Sequence, residues 1–320
     1  MASQDLQGIL VALITPFTDG GHAVDDKRLQ AHIQHMIKAG VHGLVPGGTT
    51  GEFTAMTVDE RKHLLELCVK YADSRIPVVA GIGALSTKEC IDLATHAAKA
   101  GAVALMVVPP FYDPVNLEQL RELMAEIHTA SRLPIMYYNI PSASGLTLSP
   151  PELASLSTVG VKYLKDTSGN APAFTELLFG LHDRITAFNG WDTLTFYGLA
   201  AGAKGFVWGT TNLIPELSVQ LWEALHVRGD LDEGRRLWRL IWPICRFLEE
   251  HNYASAVKTG LELLGKGTGG VRRPFGLLSG GKREELRGLL EGAGLVTVGG
   301  GSEEGMSNGT GDIVDGIRDD

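Results

Sequence analysis

The chain has 320 residues and a formal net charge of −9, and 44% of its residues are hydrophobic. This composition is typical of a globular enzyme, and the acidic balance argues against the basic surface that nucleic-acid binding requires. The three cysteines are far apart in the sequence and indicate neither a disulfide framework nor a zinc site. With no signal-like start and no run of about 18 apolar residues, we expect a cytoplasmic protein that does not span a membrane.

Short apolar segments alternate with longer amphipathic ones from residue 8 to about residue 225. This rhythm predicts parallel strands joined by crossover helices. Eight such units close a barrel, so we predict the (β/α)8 TIM-barrel fold of the α/β class. The predicted strands are residues 9–17, 43–46, 78–82, 104–108, 135–140, 161–165, 186–189 and 205–208. An open, doubly wound sheet is the alternative, but residues 18–22 read Thr-Asp-Gly-Gly-His and lack the Gly-x-Gly-x-x-Gly dinucleotide turn.

Several helix ends can be predicted from local capping signals. The sequences Thr-x-x-Glu at 57–60 and Ser-x-x-Glu at 86–89 have the spacing of capping boxes, which predicts helices that begin at about residues 58 and 87. The sequence Lys-Ala-Gly at 38–40 recurs at 99–101, and a glycine in this position is typical of a helix end. Each glycine would therefore lead the chain into the next strand.

The pattern changes after residue 228, where only helical spacing remains. Apolar residues at helical intervals predict helices over 231–249, 253–264 and 283–291. We therefore predict a barrel domain at 1–228 that carries the active site, and a C-terminal helical appendage at 229–298. Residues 299–320 are rich in Gly, Ser, Asp and Glu, which predicts a disordered tail.

The C-terminal ends of the barrel strands converge on one site, which restricts the search for reactive residues. Lys165 ends strand six before a polar turn, so its amine lies at the rim of the barrel. The turn after strand two contains Gly48, Thr49 and Thr50, whose amides and hydroxyls suit a small carboxylate. Tyr138 ends strand five, where its phenol can relay protons to a neighbouring amine. Taken singly, these residues are more often a surface lysine, an ordinary turn and a half-buried tyrosine.

Together these segments resemble the dihydrodipicolinate synthase and N-acetylneuraminate lyase family of class I, pyruvate-handling aldolases. The resemblance runs from about residue 8 to residue 274. Its most specific parts are Gly-Gly-Thr-Thr-Gly-Glu at 47–52, Tyr-Asn-Ile-Pro at 138–141 and the Lys165 segment. Asn-Gly-Trp-Asp at 189–192 and Ala-Ser-Ala-Val-Lys at 254–258 support it more loosely.

The resemblance implies roles for the residues at the strand ends. Lys165 would form an imine with the ketone of pyruvate or of another 2-oxo acid, and Tyr138 would relay protons. Thr49 and Thr50 would bind the carboxylate and support the relay. Tyr112 matches a tyrosine that a neighbouring subunit lends to this network. The same resemblance implies that the backbone carbonyl of Val207 faces the pocket and that the protein is a homotetramer built from tight dimers.

The acceptor side of the predicted site departs from both subgroups of the family. Members that make dihydrodipicolinate typically have an arginine two residues after Pro141, and Ala143 occupies that position. Gly190 and Asp192 belong to a segment similar to the hydroxyl-binding segment of sugar-acid lyases, but Thr193 replaces the glutamate of a sialic-acid lyase. The pattern favours a lyase for a 2-oxo-3-deoxy sugar acid or a 4-hydroxy-2-oxo acid. Dihydrodipicolinate synthase itself, which condenses pyruvate with aspartate semialdehyde, is the alternative.

Two other classes are consistent with a barrel of this kind. A non-catalytic barrel that binds a 2-oxo acid would need no proton relay opposite an amine, which argues against it. A metal-dependent aldolase would need histidines at strand ends, whereas the ten histidines are scattered over predicted helices and loops. We therefore predict a 2-oxo acid as the small-molecule partner, with no metal, no cofactor, no nucleic acid and no membrane involved.

Overall fold

The computed structural model describes residues 5–296. Within this range eight parallel strands form one sheet in the order β2-β1-β8-β7-β6-β5-β4-β3. A parallel bridge between Leu44 and Val78 joins the two ends of this order, and the amide of Leu44 donates to the carbonyl of Pro77 at 3.0 Å. The sheet is thereby closed, which confirms the (β/α)8 barrel. The strands are β1 (Gly8–Ala12), β2 (Gly43–Val45), β3 (Val79–Gly81), β4 (Ala104–Val107), β5 (Ile135–Asn139), β6 (Val161–Asp166), β7 (Thr186–Asn189) and β8 (Gly205–Trp208).

The helices of the described residues lie outside the barrel or follow it in the chain. They are α1 (Asp26–Ala39), α2 (Val58–Ala72), α3 (Thr87–Ala100), α4 (Leu117–Ser131), α5 (Pro141–Ser144), α6 (Pro150–Ser155), α7 (Ala171–Phe179), α8 (Thr195–Ala200), α9 (Pro215–Trp222), α10 (Leu231–Glu249), α11 (Tyr253–Leu263) and α12 (Gly280–Gly292). None of the helices within residues 5–296 is long and apolar enough to cross a membrane.

The predicted helix ends are confirmed, with one difference in detail. Gly40 and Gly101 end α1 and α3 in the left-handed conformation, with φ of 95° and 98°. The capping box that starts α2 is complete. At the start of α3 only the hydroxyl half forms, because the carboxylate of Glu89 lies 3.6 Å from the guanidinium of Arg61 on α2.

The strands match the prediction to within one residue at each end, except at β1. This strand was predicted over 9–17 and ends at Ala12. Beyond it the amide of Ile14 donates to the side chain of Asn212 at 3.3 Å, and Pro16 has no amide proton to donate. The apolar run therefore continues into the core after its backbone has left the sheet.

Apolar side chains pack on both faces of the barrel sheet, as an inner and an outer layer. The inner layer fills the barrel with side chains such as Leu10, Met106, Met136 and Phe188. A larger outer layer packs the strands against the helices. Tyr138 belongs to the inner layer, so its hydroxyl lies inside the barrel mouth.

The C-terminal helices cover one side of the barrel. As predicted, α10 spans Leu231–Glu249; α11 ends one residue earlier than predicted, and α12 extends further at both ends. Helix α10 packs against α8, α9 and α12. The tail predicted over 299–320 lies outside the described residues.

Candidate active site

Lys165 and Tyr138 lie side by side on β6 and β5, as register partners in the sheet. The Nζ atom of Lys165 is 3.9 Å from the centroid of the Tyr138 ring, and both residues are buried. Within residues 5–296 no carboxylate lies within 4.0 Å of that amine, which lies over the face of the Tyr138 ring. Lys162 on the same strand differs, since it is paired with Asp5 at 2.5 Å and half exposed. The structure thus separates a buried amine from an ordinary surface lysine.

A cavity of about 260 Å³ opens at the C-terminal ends of the strands, around this amine. Its lining contains one basic side chain, Lys165, and two acidic ones, Asp192 and Glu249. A larger groove of about 1110 Å³ lies elsewhere, beside Arg28 and the segment 267–277, and is open to solvent. We place the candidate site in the smaller cavity because it encloses the buried amine and the phenol.

Most of the predicted site residues meet in this cavity, and four do not line it. Those that line it are Thr49, Thr50, Tyr138, Lys165, Gly190, Asp192 and Val207. Those outside the lining are Gly48, Tyr112, Ala143 and Thr193. Tyr112 is 83% exposed and does not line the cavity that contains Tyr138.

The turn after β2 presents free hydrogen-bond donors to the cavity. Within residues 5–296 the amides of Thr49 and Thr50 donate to no backbone carbonyl, and neither hydroxyl has a hydrogen-bond partner. The turn is tight, since Gly47 has φ of 73° and a Cβ on Gly81 would lie 2.4 Å from the Gly47 carbonyl oxygen. Two amides and two hydroxyls are therefore available to bind a carboxylate without a cation.

The end of β6 is fixed by a buried carboxyl group. Asp166 accepts hydrogen bonds from Asn139 at 2.7 Å and from the hydroxyl of Ser168 at 3.1 Å, and burial raises its pKa.

The end of the neighbouring strand β7 leaves room for the Lys165 side chain. A Cβ on Gly190 would lie 2.7 Å from the Cγ atom of Lys165. Only glycine therefore leaves the lysine side chain room in this conformation. The buried hydroxyl of Thr167 lines the cavity and has no hydrogen-bond partner within residues 5–296.

The far side of the cavity is acidic. Asp192 accepts hydrogen bonds from the hydroxyl of Thr210 at 2.5 Å and from that of Tyr253, and burial raises the pKa of Asp192 to about 7. Glu249 accepts from the amide of Thr193 at 2.9 Å and from its hydroxyl at 3.0 Å, and burial raises the pKa of Glu249 as well. We call Asp192 and Glu249 the acidic end of the cavity.

Sequence reasoning missed Glu249 and Tyr253, which enter the cavity from α10 and the start of α11. In the sequence Glu249 is one of two adjacent glutamates at a predicted helix end, and such residues are usually solvated. Tyr253 immediately precedes the segment 254–258 that carries part of the family resemblance, which is the one available signal. The appended helices therefore supply part of the cavity.

The closed barrel, with a buried amine at the end of β6 and a turn of free hydrogen-bond donors after β2, has the features of a Schiff-base lyase site. The sequence pattern of the dihydrodipicolinate synthetase family matches residues 5–293. The chain belongs to this family. It is accordingly a class I, pyruvate-dependent lyase of the aldolase type, which confirms the resemblance inferred from the motifs.

Similar proteins cover nearly the whole chain. The 4-hydroxy-tetrahydrodipicolinate synthase of Methanopyrus kandleri is 34% identical over 300 residues, which is 92% of this chain and 99% of that protein. The protein of the same name from Rhodospirillum centenum is 36% identical over 294 residues, which is 91% of this chain and 99% of that protein. The crystal structure of the chloride-inhibited dihydrodipicolinate synthase from Acinetobacter baumannii, complexed with pyruvate, superposes with a TM-score of 0.87 at 29% identity. The superposition covers 91% of this chain and 100% of the Acinetobacter baumannii chain.

Proposed function

We propose that Lys165 is the residue that forms the imine with the ketone carbon of pyruvate. The observation that carries this proposal is the buried Lys165 amine, which faces the Tyr138 ring at 3.9 Å with no carboxylate partner within residues 5–296. An amine without an ion-pair partner loses no salt bridge when it becomes a nucleophile. The free donors of Thr49 and Thr50 supply the place for the carboxylate of the substrate.

The proposed chemistry assigns one task to each group. The Lys165 nitrogen adds to the ketone carbon and gives a carbinolamine, whose hydroxyl leaves as water after it receives a proton. Tyr138 is the relay for that proton, and a phenol beside the amine suits this role. Loss of a proton from the methyl carbon of the resulting imine gives an enamine. The enamine carbon then forms the new bond to an aldehyde, or the same steps in reverse release pyruvate.

For the acceptor we propose aspartate semialdehyde, with 4-hydroxy-tetrahydrodipicolinate as the product. The support is the name carried by relatives 34% and 36% identical over almost the whole chain. The comparisons favour this alternative over the sugar-acid lyase that the acceptor motif indicated.

A second candidate is the cleavage of a hydroxylated 2-oxo acid, and the charges in the cavity favour it. Lys165 is the one basic side chain in the lining, and an imine would occupy it. Ala143 supplies no cation for a second carboxylate. Asp192 and Glu249 are hydrogen-bond acceptors that suit hydroxyl groups.

Borohydride reduction tests the role of Lys165 independently of the acceptor. Reduction in the presence of pyruvate should fix one three-carbon unit on Lys165, which peptide mass spectrometry can locate. The Lys165→Met variant should take up none, whereas Lys162→Met, which alters the exposed lysine on the same strand, should be labelled like the wild type. Active protein with an unmodified Lys165 would refute the assignment.

A substrate panel distinguishes the two acceptors. The values of kcat/KM should be compared for condensation of pyruvate with aspartate semialdehyde and for pyruvate release from 2-oxo-3-deoxy sugar acids, 4-hydroxy-2-oxoglutarate and N-acetylneuraminate. The highest value with aspartate semialdehyde would support the synthase. A higher value with a hydroxylated 2-oxo acid would replace it with the lyase.

We also propose the assembly that the family resemblance implies, a homotetramer of tight dimers, with the division into a barrel at 1–228 and an appendage at 229–298. The exposed ring of Tyr112 is available to complete the site of a neighbouring subunit. Light scattering coupled to gel filtration should give the mass of four chains. A monomer with full activity would show that Tyr112 has no such role.

A further inference from the structure

A buried ion pair links the turn after β2 to the appended helices. The Nζ atom of Lys258 on α11 lies 2.5 Å from the Oε1 atom of Glu52, and both side chains are almost fully buried. Lys258 also donates to the carbonyl of Gly270 at 2.7 Å and lies 4.1 Å from the centroid of the Phe17 ring. Neither residue of the pair lines the cavity around Lys165.

The second carboxylate oxygen of Glu52 is held by the segment that follows α11. It accepts a hydrogen bond from the amide of Arg272 at 2.9 Å. The guanidinium of Arg272 in turn donates to the carbonyl of Ala55 at 2.8 Å and is paired with Glu60. Two elements of the appendage therefore contact the same short loop.

Glu52 is connected directly to the carboxylate-binding turn. Its amide donates to the carbonyl of Thr49 at 3.0 Å, and it is two residues from Thr50. Its backbone is left-handed, with φ of 60°, which is uncommon for a residue other than glycine. Such a conformation persists where the surroundings hold it in place, and here the ion pair with Lys258 and the hydrogen bond from the Arg272 amide do so.

General stability does not account well for a buried ion pair, because desolvation of two charges offsets much of their attraction. Well-packed apolar residues of similar size are often as stable or more so. Burial lowers the pKa of Lys258 to about 8, and the nearby carboxylates of Glu52 and Glu262 oppose this effect while Arg272 adds to it. Because burial of the two charges costs free energy, we explain the pair of Glu52 and Lys258 by the loop conformation that it stabilises.

We propose that the pair of Glu52 and Lys258 is a positioning device, which holds Thr49 and Thr50 where their free donors meet the carboxylate of pyruvate. The inference rests on the proposed function, since it takes that turn as the carboxylate site. It gives the appended helix α11 a second part in the site, besides the Tyr253 side chain that lines the cavity.

The test uses the dependence of borohydride trapping at Lys165 on pyruvate concentration. This readout needs no acceptor and reports binding at the turn. A single Lys258→Met variant leaves an unpaired buried carboxylate and risks unfolding, so the decisive variant is Glu52→Gln combined with Lys258→Met, which removes both charges and keeps the side-chain sizes. We expect the half-saturating pyruvate concentration to rise by about tenfold or more, as for loss of one charge-assisted contact, while thermal stability stays near that of the wild type.

The matched control is Lys62→Met, which removes a lysine paired with Asp92 at 2.7 Å on the outer helices. It should leave the pyruvate dependence unchanged. A folded double variant with the pyruvate dependence of the wild type would overturn the inference. Wild-type protein that is not trapped at all would instead refute the proposed role of Lys165, so the two failures are distinguishable.

Discussion

Because the carboxyl of Asp192 is buried, we expect the protein to become less stable as the pH rises, and a single substitution can test this. Burial raises its pKa from 3.8 to about 7, against the effect of the hydrogen bonds from Thr210 and Tyr253. The native state therefore retains a proton at pH values where the unfolded chain has lost it. The contribution of Asp192 to the free energy of unfolding is therefore highest below about pH 4. It falls as the pH rises to about 7. The rise in pKa corresponds to a loss of about 4 kcal/mol.

The Asp192→Asn variant isolates this contribution. The amide oxygen can still accept from Thr210 and Tyr253, but the side chain no longer ionises. We expect the variant to match the wild type in stability near pH 4 and to exceed it by up to about 4 kcal/mol near pH 8. Asp166, whose pKa burial also raises, titrates in both proteins and cancels in the difference. The charge of Glu249 contributes to the raised pKa of Asp192, so the difference includes the coupling between these two carboxyl groups.

Urea unfolding followed by tryptophan fluorescence across this pH range measures the difference, provided that each transition is reversible and the slope m is shared. Asp183→Asn, which alters an exposed aspartate, should follow the wild-type curve. Parallel curves for the wild type and Asp192→Asn would show that this carboxyl is ionised in the fold throughout. Carbon-detected NMR of the aspartate carboxyl groups would give the same answer directly.

Three further substitutions test the reacting half of the site and its acceptor half. Tyr138→Phe keeps the ring against Lys165 and removes the proton relay, so turnover should fall by about 10² to 10⁴ while slow borohydride trapping persists; an unchanged rate would exclude the phenol as the relay. Gly190→Ala would bring a Cβ within 2.7 Å of the Lys165 side chain and should abolish trapping with the circular dichroism spectrum retained, whereas Gly288→Ala, which has open space, should not. Ala143→Arg should raise kcat/KM for aspartate semialdehyde by about tenfold or more, because a charge-assisted contact contributes about 1.5 to 3 kcal/mol; no gain would show that this position does not meet the second carboxylate.

The sequence was sufficient to predict the barrel because the signals that define it are local. The caps of α2 and α3, the glycines at 40 and 101 and the apolar strand segments each determine a few neighbouring residues. Where a residue forms its contacts with a partner that is distant in the sequence, a prediction from neighbouring residues is wrong. The carboxylate of Glu89 turns to Arg61 on another helix instead of completing its capping box. In the same way, the chain after Ala12 bonds to Asn212 although its apolar pattern continues that of the strand.

The same reasoning explains which site residues were predictable. Lys165 and Tyr138 lie near strand ends and Thr49 lies in the turn after β2, and the barrel topology alone brings these ends together. Glu249 and Lys258 stand on helices, where only packing decides which face turns inward. One signal was available for Lys258, since it is the one charged residue between Ser255 and Leu261, and a charge that is buried within a helix requires a partner.

The acceptor half of the cavity is difficult to infer from motifs because its charge depends on burial. In the sequence Asp192 and Glu249 count as two negative charges, which would repel a carboxylate on the acceptor. In the fold burial raises both pKa values, and near neutral pH Asp192 is only partly ionised. A neutral Asp192 can donate a hydrogen bond as well as accept one. The missing cation at Ala143 therefore disfavours a second carboxylate less strongly than formal charges suggest.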